Sequence, residues 1–325
     1  MKIKRILSGV LAASLLMTSV FALSSCSEKK DKYVVGISQL VAHPALDSAT
    51  EGFKQALIDK LGQDKVEFNF QNAANQNDVC STIANSFVSS KVDLIMANGT
   101  AALQAAANAT ESIPILGTSI TAYDVALELK DFNGTVGGNI SGTSDLAPLS
   151  EQAQMIIDLV PGAKKVGLLY CSSEPNSVYQ VSEVRKYLES KSIECVEYKF
   201  SDSNDVTLIA TQAASECDAL YIPTDNTAAS SAETIHGAVS PSKKPIICGE
   251  EGICKGCGIA TLSISYYNIG YKTGEMAAKI LTGEEKIENM PIEYDTKPVK
   301  KYNKVICEEI GFAAPAGYEA IEVAE

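Results

Sequence analysis

The sequence has 325 residues, of which 46% are hydrophobic and 21% are charged, a balance typical of folded proteins that excludes a mostly disordered chain. The length predicts two domains or one large domain. The 40 acidic residues outnumber the 27 basic ones, and the formal net charge of -13 argues against a nucleic-acid partner, because phosphates would be repelled.

Residues 1–25 are predicted to be an export signal rather than part of the fold. Basic residues near the start precede an apolar run over residues 6–23, which is the pattern of a secretory signal peptide. The run is long enough for a short membrane span, but it ends in Leu-Ser-Ser-Cys, which resembles the lipobox of bacterial lipoproteins. We therefore expect lipidation of Cys26 and anchoring at the outer face of the cell membrane. Residues 26–32 are then a hydrophilic tether.

Strands and helices alternate through the first half of the exported chain. Short apolar runs predict strands, and apolar residues at helical spacing predict a helix after each of the first three strands. Single helices between strands imply right-handed crossovers and a parallel sheet. The predicted strands are 33–38, 66–70, 92–97 and 113–116.

The same order restarts in the second half. Val35-Gly36 recurs as Val166-Gly167, and Pro114 recurs as Pro245 at the same separation, which favours two similar lobes. A long helix over residues 267–281 follows, and the strands predicted after it suggest that the chain crosses back between the lobes. The predicted strands are 166–170, 193–200, 219–222, 245–248, 292–294 and 305–307, and the predicted helices between the first four are 178–188, 206–214 and 228–239.

Polar side chains gather after the predicted strands of both lobes. Ligands of open parallel sheets bind beyond the carboxyl ends of the strands, so these side chains are candidates for lining a cleft. Each also has a simpler explanation, since Thr100 and Asn176 are good helix N-caps. The candidates are Ser38, Gln39, Thr100, Ser119, Thr121, Asn176, Thr224, Asp225, Asn226 and Glu250.

These candidates divide into groups that suit the two charges of a free amino acid. A carboxylate needs donors, which Thr100, Ser119 and Thr121 offer as hydroxyls. The start of the Ala-rich helix at Thr100 adds free backbone N–H groups. An ammonium needs acceptors, for which we favour Asp225, with Glu250 as a second acceptor. The alternative is that Asp225 only caps the helix that follows it.

The sequence carries no pattern typical of catalysis or of a cofactor. It has no G-x-S-x-G elbow, no phosphate-binding G-x-x-x-x-G-K-[ST] loop and no G-x-G-x-x-G after the first strand. His43 and His236 are the only histidines, and they form no metal-spaced cluster. We therefore expect neither metal nor cofactor and no enzymatic activity, although a Ser-His-Asp arrangement through His43 stays open.

The cysteine count leaves one pairing open. Eight cysteines remain after Cys26. A disulfide framework is typical of small secreted domains, whereas this chain can build a large core, and most of its cysteines lie in apolar runs as small hydrophobes. Cys254 and Cys257 are the only close pair, so a loop disulfide between them stays open.

Five short motifs resemble the tryptophan-binding-type branch of the substrate-binding lipoproteins of ABC importers, and the resemblance covers the whole chain after the signal. Ala42 stands where the family usually has an acid, and the acid around residues 250–252 is Glu where Asp is usual. These departures concern the ligand more than the fold. The motifs are residues 39–47, 137–142, 174–177, 223–227 and 265–267.

The resemblance implies an α/β fold of the type I periplasmic-binding-protein class, with two parallel-sheet lobes joined by a three-crossover hinge. Crossings are expected near Gly138, Leu262 and Pro291, where they would absorb closure around a ligand. It also implies an ABC permease and its ATPase as partners and a monomeric protein, and it adds Tyr266 to the ligand site. The lobes would comprise residues 33–139 with 263–289, and residues 140–262 with 290–325.

Three functions remain open from the sequence. The favoured one is a solute-binding lipoprotein for an amino acid, either aromatic or branched-chain. The second is a sugar- or nucleoside-binding protein of the same fold, which the absence of Trp disfavours, because sugar sites commonly stack aromatic side chains on the ring. The third is an extracellular α/β enzyme.

Overall fold

The structure is a computed structural model that describes residues 31–295 and 297–322. The predicted signal peptide, Cys26 and most of the predicted tether lie outside the described residues. Within the described part of the chain, no helix has both the length and the apolar character needed to cross a membrane.

The first lobe is built on a six-stranded parallel sheet. Its central strands are apolar and buried on both faces because helices cover the sheet on each side. The strand order is β11-β5-β4-β3-β1-β2. The elements of its continuous part are β1 Tyr33–Gln39, α1 Pro44–Leu61, β2 Val66–Asn72, α2 Asn77–Ser90, β3 Leu94–Asn98, α3 Thr100–Ala109, β4 Ile115–Ile120, α4 Tyr123–Ala126 and β5 Ile140–Ser144.

The second lobe repeats this plan on a seven-stranded sheet in the order β13-β12-β10-β9-β8-β6-β7. All its pairs are parallel except β10 with β12. The elements of its continuous part are α5 Leu149–Leu159, β6 Lys165–Cys171, α6 Pro175–Ser190, β7 Glu194–Phe200, α7 Val206–Glu216, β8 Ala219–Ile222, α8 Asn226–Ser230, α9 Ala232–Val239, β9 Ile246–Cys248, α10 Glu251–Cys257 and β10 Ala260–Ser263.

The last part of the chain passes between the lobes. Its elements are α11 Tyr266–Thr282, β11 Glu293–Tyr294, β12 Val299–Tyr302, α12 Lys304–Ile310 and β13 Glu319–Ala320. Helix α11 packs against α1 of the first lobe, and β11 extends the first sheet, whereas β12 and β13 complete the second. The predicted fold class, two α/β lobes with parallel sheets, is confirmed.

The chain changes lobes one strand later than the first crossing expected from the sequence. Residues 140–144, expected in the second lobe, form β5 and pair with β4 in the first sheet. Tyr294, expected there too, also pairs in the first sheet. Gly137 and Gly138 make a turn with positive φ, but this turn lies inside the first lobe. The chain therefore crosses after Ser144, after Ser263 and after Tyr294.

The contact between α1 and α11 depends on the absence of a side chain at Gly270. A Cβ at this position would lie 2.0 Å from the carbonyl oxygen of Ala49, which is closer than any real contact. Glycine therefore allows the two helix backbones to touch. This contact holds α11 on the first lobe directly after the chain has left the second.

Two further predictions differ from the structure. Residues 305–307, predicted as a strand, belong to α12, because the side chain of Asn303 caps the backbone N–H of Ile306 and starts a helix. Cys254 and Cys257 lie on one helix, α10, rather than in a loop. All eight described cysteines are buried free thiols, so no disulfide joins this pair.

Candidate functional site

A closed cavity lies between the two lobes, at the carboxyl ends of both sheets. Its volume is about 10 Å³, so an amino acid would fit only with the lobes further apart. The first lobe, the second lobe and the crossings all contribute to its lining. The lining residues are His43, Leu46, Ser119, Thr121, Asp145, Asn176, Thr224, Asp225, Asn226, Ala229, Glu250 and Tyr266.

The structure brings eight of the eleven predicted ligand residues to this cavity and places Ser38, Gln39 and Thr100 elsewhere. Ser38 and Thr100 are buried without lining it. Thr100 is the first residue of α3, and its N-cap is Gly99. The eight that line the cavity are Ser119, Thr121, Asn176, Thr224, Asp225, Asn226, Glu250 and Tyr266.

Gln39 shapes the loop that carries His43 into the cleft. Its side-chain amide donates to Asp47 Oδ1 at 2.6 Å and to the carbonyl of Val41 at 2.9 Å, while its Oε1 accepts from Thr50 at 2.6 Å. Its hydrogen-bonding capacity is therefore used within the first lobe, which explains why a polar residue at a strand end need not face the ligand.

On the second lobe, Glu174 organises the wall of the cavity. Its carboxylate accepts from the backbone and side-chain nitrogens of Asn226, at 3.0 and 2.7 Å. It also accepts from the backbone nitrogen and the hydroxyl of Thr227, both at 2.8 Å, and from Asn176 Nδ2 at 3.2 Å. One buried acid therefore fixes three side chains at the N-termini of helices α6 and α8.

Asp225 and Glu250, the two predicted ammonium partners, both cap helices. Asp225 accepts from the backbone N–H groups of Ala228 at 2.8 Å and Cys171 at 2.7 Å, one on each carboxylate oxygen. Glu250 accepts from Gly252 at 2.6 Å and from Ile253, again one on each oxygen. The capping alternative for Asp225 is therefore realised in the structure.

Burial raises the pKa of both acids. The pKa of Glu250 rises to about 7, although its two backbone donors oppose the shift. Burial and the charge of Glu174 raise the pKa of Asp225. Both acids thus hold their protons more tightly in the folded state than in the unfolded chain.

The ligand-free protein should lose stability as pH rises, because of these shifts. A buried acid with a raised pKa contributes most below its unfolded value of about 4.3, and this contribution is lost as pH rises through the folded value. The melting temperature of the wild type should therefore fall between pH 5.5 and pH 8 relative to that of Glu250→Gln. Parallel melting curves for the two proteins across this range would contradict the shift.

Asp145 is the one acid in the cavity lining that the sequence did not predict. It follows β5 at the first crossing and is 4% exposed. Its Oδ2 accepts from the hydroxyl of Tyr266 at 2.9 Å. Burial raises its pKa, and the hydroxyls of Tyr266 and Thr121 oppose this shift. An acid directly after a strand was the available signal. The sequence predicted a crossing near Gly138 instead of strand β5, so Asp145 was not recognised as a residue at a strand end.

Four buried polar atoms that line the cavity have no hydrogen-bond partner among the described residues. They are Ser119 Oγ, Asp145 Oδ1, Asn176 Oδ1 and His43 Nδ1. Buried polar atoms are nearly always paired, because an unpaired one costs about 1–3 kcal/mol. Their convergence on one space indicates a polar ligand.

Hydrogen bonds between described residues join the lobes across the cleft. His43 Nε2 lies 3.3 Å from Asn226 Oδ1, and Asn75 Nδ2 donates to Thr227 Oγ1 at 2.9 Å. Asn226 already donates through its amide nitrogen to Glu174, so its oxygen accepts from His43. The proton of this neutral ring then lies on Nε2, which leaves His43 Nδ1 as an acceptor. Burial lowers the pKa of His43, in agreement with a neutral ring.

Known proteins resemble this chain over nearly its whole length. A tyrosine-binding protein of Clostridioides difficile (strain R20291) is 38% identical over 308 residues, which cover 90% of this chain and 88% of that protein. An ABC domain from Streptococcus pneumonia, solved in complex with L-Trp, is 30% identical with a TM-score of 0.84, over 89% of this chain and all of that one.

The arrangement of the lobes is closer to the ligand-bound relative than to an open one. A substrate binding protein with adhesive properties from Clostridium difficile, solved in a ligand-free, open form, is 35% identical over 90% of this chain and all of its own. Its TM-score is only 0.68, although its sequence is more similar than that of the L-Trp complex. The difference agrees with the hydrogen bonds that close the cleft here.

The family model described as ABC transporter substrate binding protein matches residues 34–316. This match includes both lobes, the crossings and every residue that lines the cavity. The chain belongs to the ABC transporter substrate binding protein family, and it is a substrate-binding protein of an ABC transporter.

Proposed function

We propose that the protein binds an aromatic amino acid between its lobes and delivers it to an ABC importer. The observation that carries this proposal is the set of unpartnered atoms in the cavity, which offers acceptors for an ammonium and a hydroxyl donor for a carboxylate. The names of two relatives support the aromatic class, since one is a tyrosine-binding protein and the other was solved with L-Trp.

The two ends of the amino acid would meet different lobes. Ser119, on the first lobe, has a free hydroxyl and a φ of 55°, a left-handed conformation that costs a non-glycine residue about 1–3 kcal/mol. Such strain typically persists where function requires it, and we assign Ser119 to the carboxylate, with Thr121 beside it holding Asp145. Asp145 and Asn176 offer free acceptors for the ammonium. Asp225 and Glu250 form an acidic wall beside it.

Closure of the cleft would be the event that traps the ligand. The three crossings carry few residues, and ligand contacts with both lobes would favour the closed arrangement. We propose that the protein acts as a monomer. We also propose that it is a carrier without catalysis, because the buried polar groups described above cap helices, lie at the crossings or line the cavity, and none of them activates a nucleophile.

Asn75→Ala should weaken ligand binding without changing the fold. The variant loses one hydrogen bond between the lobes, worth about 0.5–1.5 kcal/mol, which corresponds to about a twofold to tenfold lower affinity. Calorimetry with the bound amino acid would measure this, with Asn85→Ala on the exposed face of α2 as the control. An affinity equal to that of the wild type would show that the closed state does not depend on this contact.

A thermal melting screen tests the proposed ligand class. The purified protein is heated with each of the twenty amino acids, with nucleosides and with simple sugars. Because a ligand that binds only the folded state stabilises it, we expect L-tyrosine or L-tryptophan to give the largest rise in melting temperature. A larger rise with a sugar or nucleoside would overturn the proposal.

We further propose export and lipid anchoring through Cys26, on the strength of the lipobox-like residues 23–26. Replacing the thiol removes the only group at this position that accepts a lipid, so Cys26→Ala should be released into the medium or remain unprocessed. Cell fractionation with an antibody to the protein would measure this. A variant that is still processed and membrane-bound at the wild-type level would exclude this anchor.

A further inference from the structure

The ionisable groups around the cavity are of one sign. Asp145, Asp225 and Glu250 line it, and Glu174 lies directly behind its wall. No Lys or Arg is among the described residues that line it. His43, the one basic side chain there, is a neutral ring whose free nitrogen accepts a hydrogen bond. The described residues that line this cavity therefore bring no positive charge to it, and the nearest lysines, Lys255, Lys297 and Lys301, line the neighbouring pocket.

The unpartnered atoms show a matching asymmetry, because acceptors outnumber donors among them. Asp145 Oδ1 and His43 Nδ1 are acceptors. Asn176 donates through its amide nitrogen to Glu174 and to the carbonyl of Thr224, so its free oxygen is also an acceptor. Only Ser119 Oγ can donate. A ligand that satisfies these atoms must supply mainly donors, and a primary ammonium supplies three.

From this asymmetry we infer that the cleft selects its ligand by a primary ammonium held at Asp145, and that it also takes aromatic amines that lack a carboxylate. The inference rests on the proposed function for its aromatic ligand, but it concerns a different property of the same site. In this inference the protein distinguishes ligands by the positive charge at one end rather than by recognising the whole amino acid.

Asp145 is the acid best placed for this role. Each oxygen of Asp225 and of Glu250 already accepts a backbone N–H, which leaves Asp145 as the lining acid with an unpartnered oxygen. Tyr266 holds its other oxygen, so the side chain is positioned before the ligand arrives. Asp145 also lies on a crossing, and its backbone N–H donates to Ile120 of the first sheet.

A ligand carboxylate would gain less in this cavity than an ammonium. It would accept from Ser119, but the burial that raises the pKa of Asp145, Asp225 and Glu250 disfavours a further negative charge beside them. An amine without the carboxylate loses that hydrogen bond and that negative charge together. These two changes oppose each other in the amine, whereas the propionate keeps both and leaves the unpartnered acceptors without a donor.

The test compares three ligands that share one ring and differ in charge. Calorimetry on the purified protein at pH 7.5 measures L-tyrosine, tyramine and 3-(4-hydroxyphenyl)propionate, and the same series is repeated with L-tryptophan, tryptamine and 3-indolepropionate. We expect at least one amine to bind at least tenfold more tightly than its matching propionate. A ratio below ten in both series, or the reverse order, overturns the inference.

The same data distinguish this inference from the proposed function. Binding of an amine with no binding of either amino acid would overturn the proposed function and support the ammonium selection. Binding of the amino acids with no binding of either amine would support the proposed function and overturn the ammonium selection. Absence of binding by all of them would overturn both.

Asp145→Asn assigns the selection to this residue. The variant should reduce the affinity for the amine by about tenfold to a hundredfold, the range for a hydrogen bond to a charged group, while the affinity for the propionate stays the same or rises. Asp64→Asn changes an exposed acid that does not line the cavity, so it is the matched control and should leave the ratio unchanged. An unchanged ratio in Asp145→Asn would overturn the role of Asp145, and the wild-type series decides the selection even if that variant fails to fold.

Discussion

Glu174→Ala should be among the most damaging single substitutions for both stability and ligand binding. The carboxylate is 8% exposed and accepts five hydrogen bonds from Asn176, Asn226 and Thr227. Its removal leaves buried donors without partners, and the loss of such a network costs about 3–5 kcal/mol. It also frees the side chains that meet His43 and Asn75 across the cleft, so ligand affinity should fall by at least about tenfold.

Urea denaturation and calorimetry would measure the two effects separately. Glu183→Ala is the matched control, because Glu183 lies on the same helix, α6, and makes an exposed ion pair with Lys186. Exposed pairs of this kind contribute up to about 1 kcal/mol. A Glu174→Ala protein as stable as this control would show that the network does not hold the cavity wall.

Gly142→Ala should destabilise the first lobe next to the cavity. Gly142 has a φ of 143°, and a Cβ there would lie 2.0 Å from the carbonyl oxygen of Gly117 and 2.4 Å from the hydroxyl of Tyr123. The substitution would push β4 and β5 apart, and with them Ser119 and Asp145. Backbone strain and overpacking together should cost about 3–5 kcal/mol.

Gly138→Ala separates the steric clash from the backbone strain. Gly138 also has a positive φ, 59°, but a Cβ there meets nothing within 4 Å. The control should therefore lose only about 1–2 kcal/mol, the cost of the left-handed conformation. Equal denaturation midpoints for the two variants would contradict the close approach of β4 and β5.

The periodicity of the sequence was sufficient to predict the fold class and most strands. It was insufficient at residues 305–307, because a run of three apolar residues fits a strand or a helix equally well. The helix there is decided by Asn303, whose side chain caps it. A polar residue before a short apolar run was the local signal for the helix.

The position of the cleft follows from strand order, but the direction of each side chain within it does not. Gln39 and Ser119 both lie at strand ends, yet Gln39 is bonded within its own lobe and Ser119 faces the cavity with a left-handed backbone. Asp145 escaped prediction because the chain crosses after Ser144, one strand later than the glycine turn suggested. Contacts between lobes, such as Asn75 with Thr227, join residues too distant in sequence for any local pattern to show.

We place the amino acid between the lobes with its ammonium at Asp145. A crystal structure of the purified protein grown with L-tyrosine would locate both ends of the ligand. We expect the ligand inside the cavity, its nitrogen within about 3.2 Å of Asp145 Oδ1 and its carboxylate within about the same distance of Ser119 Oγ. A ligand bound outside the lobes, or one whose nitrogen lies away from Asp145, would exclude this placement.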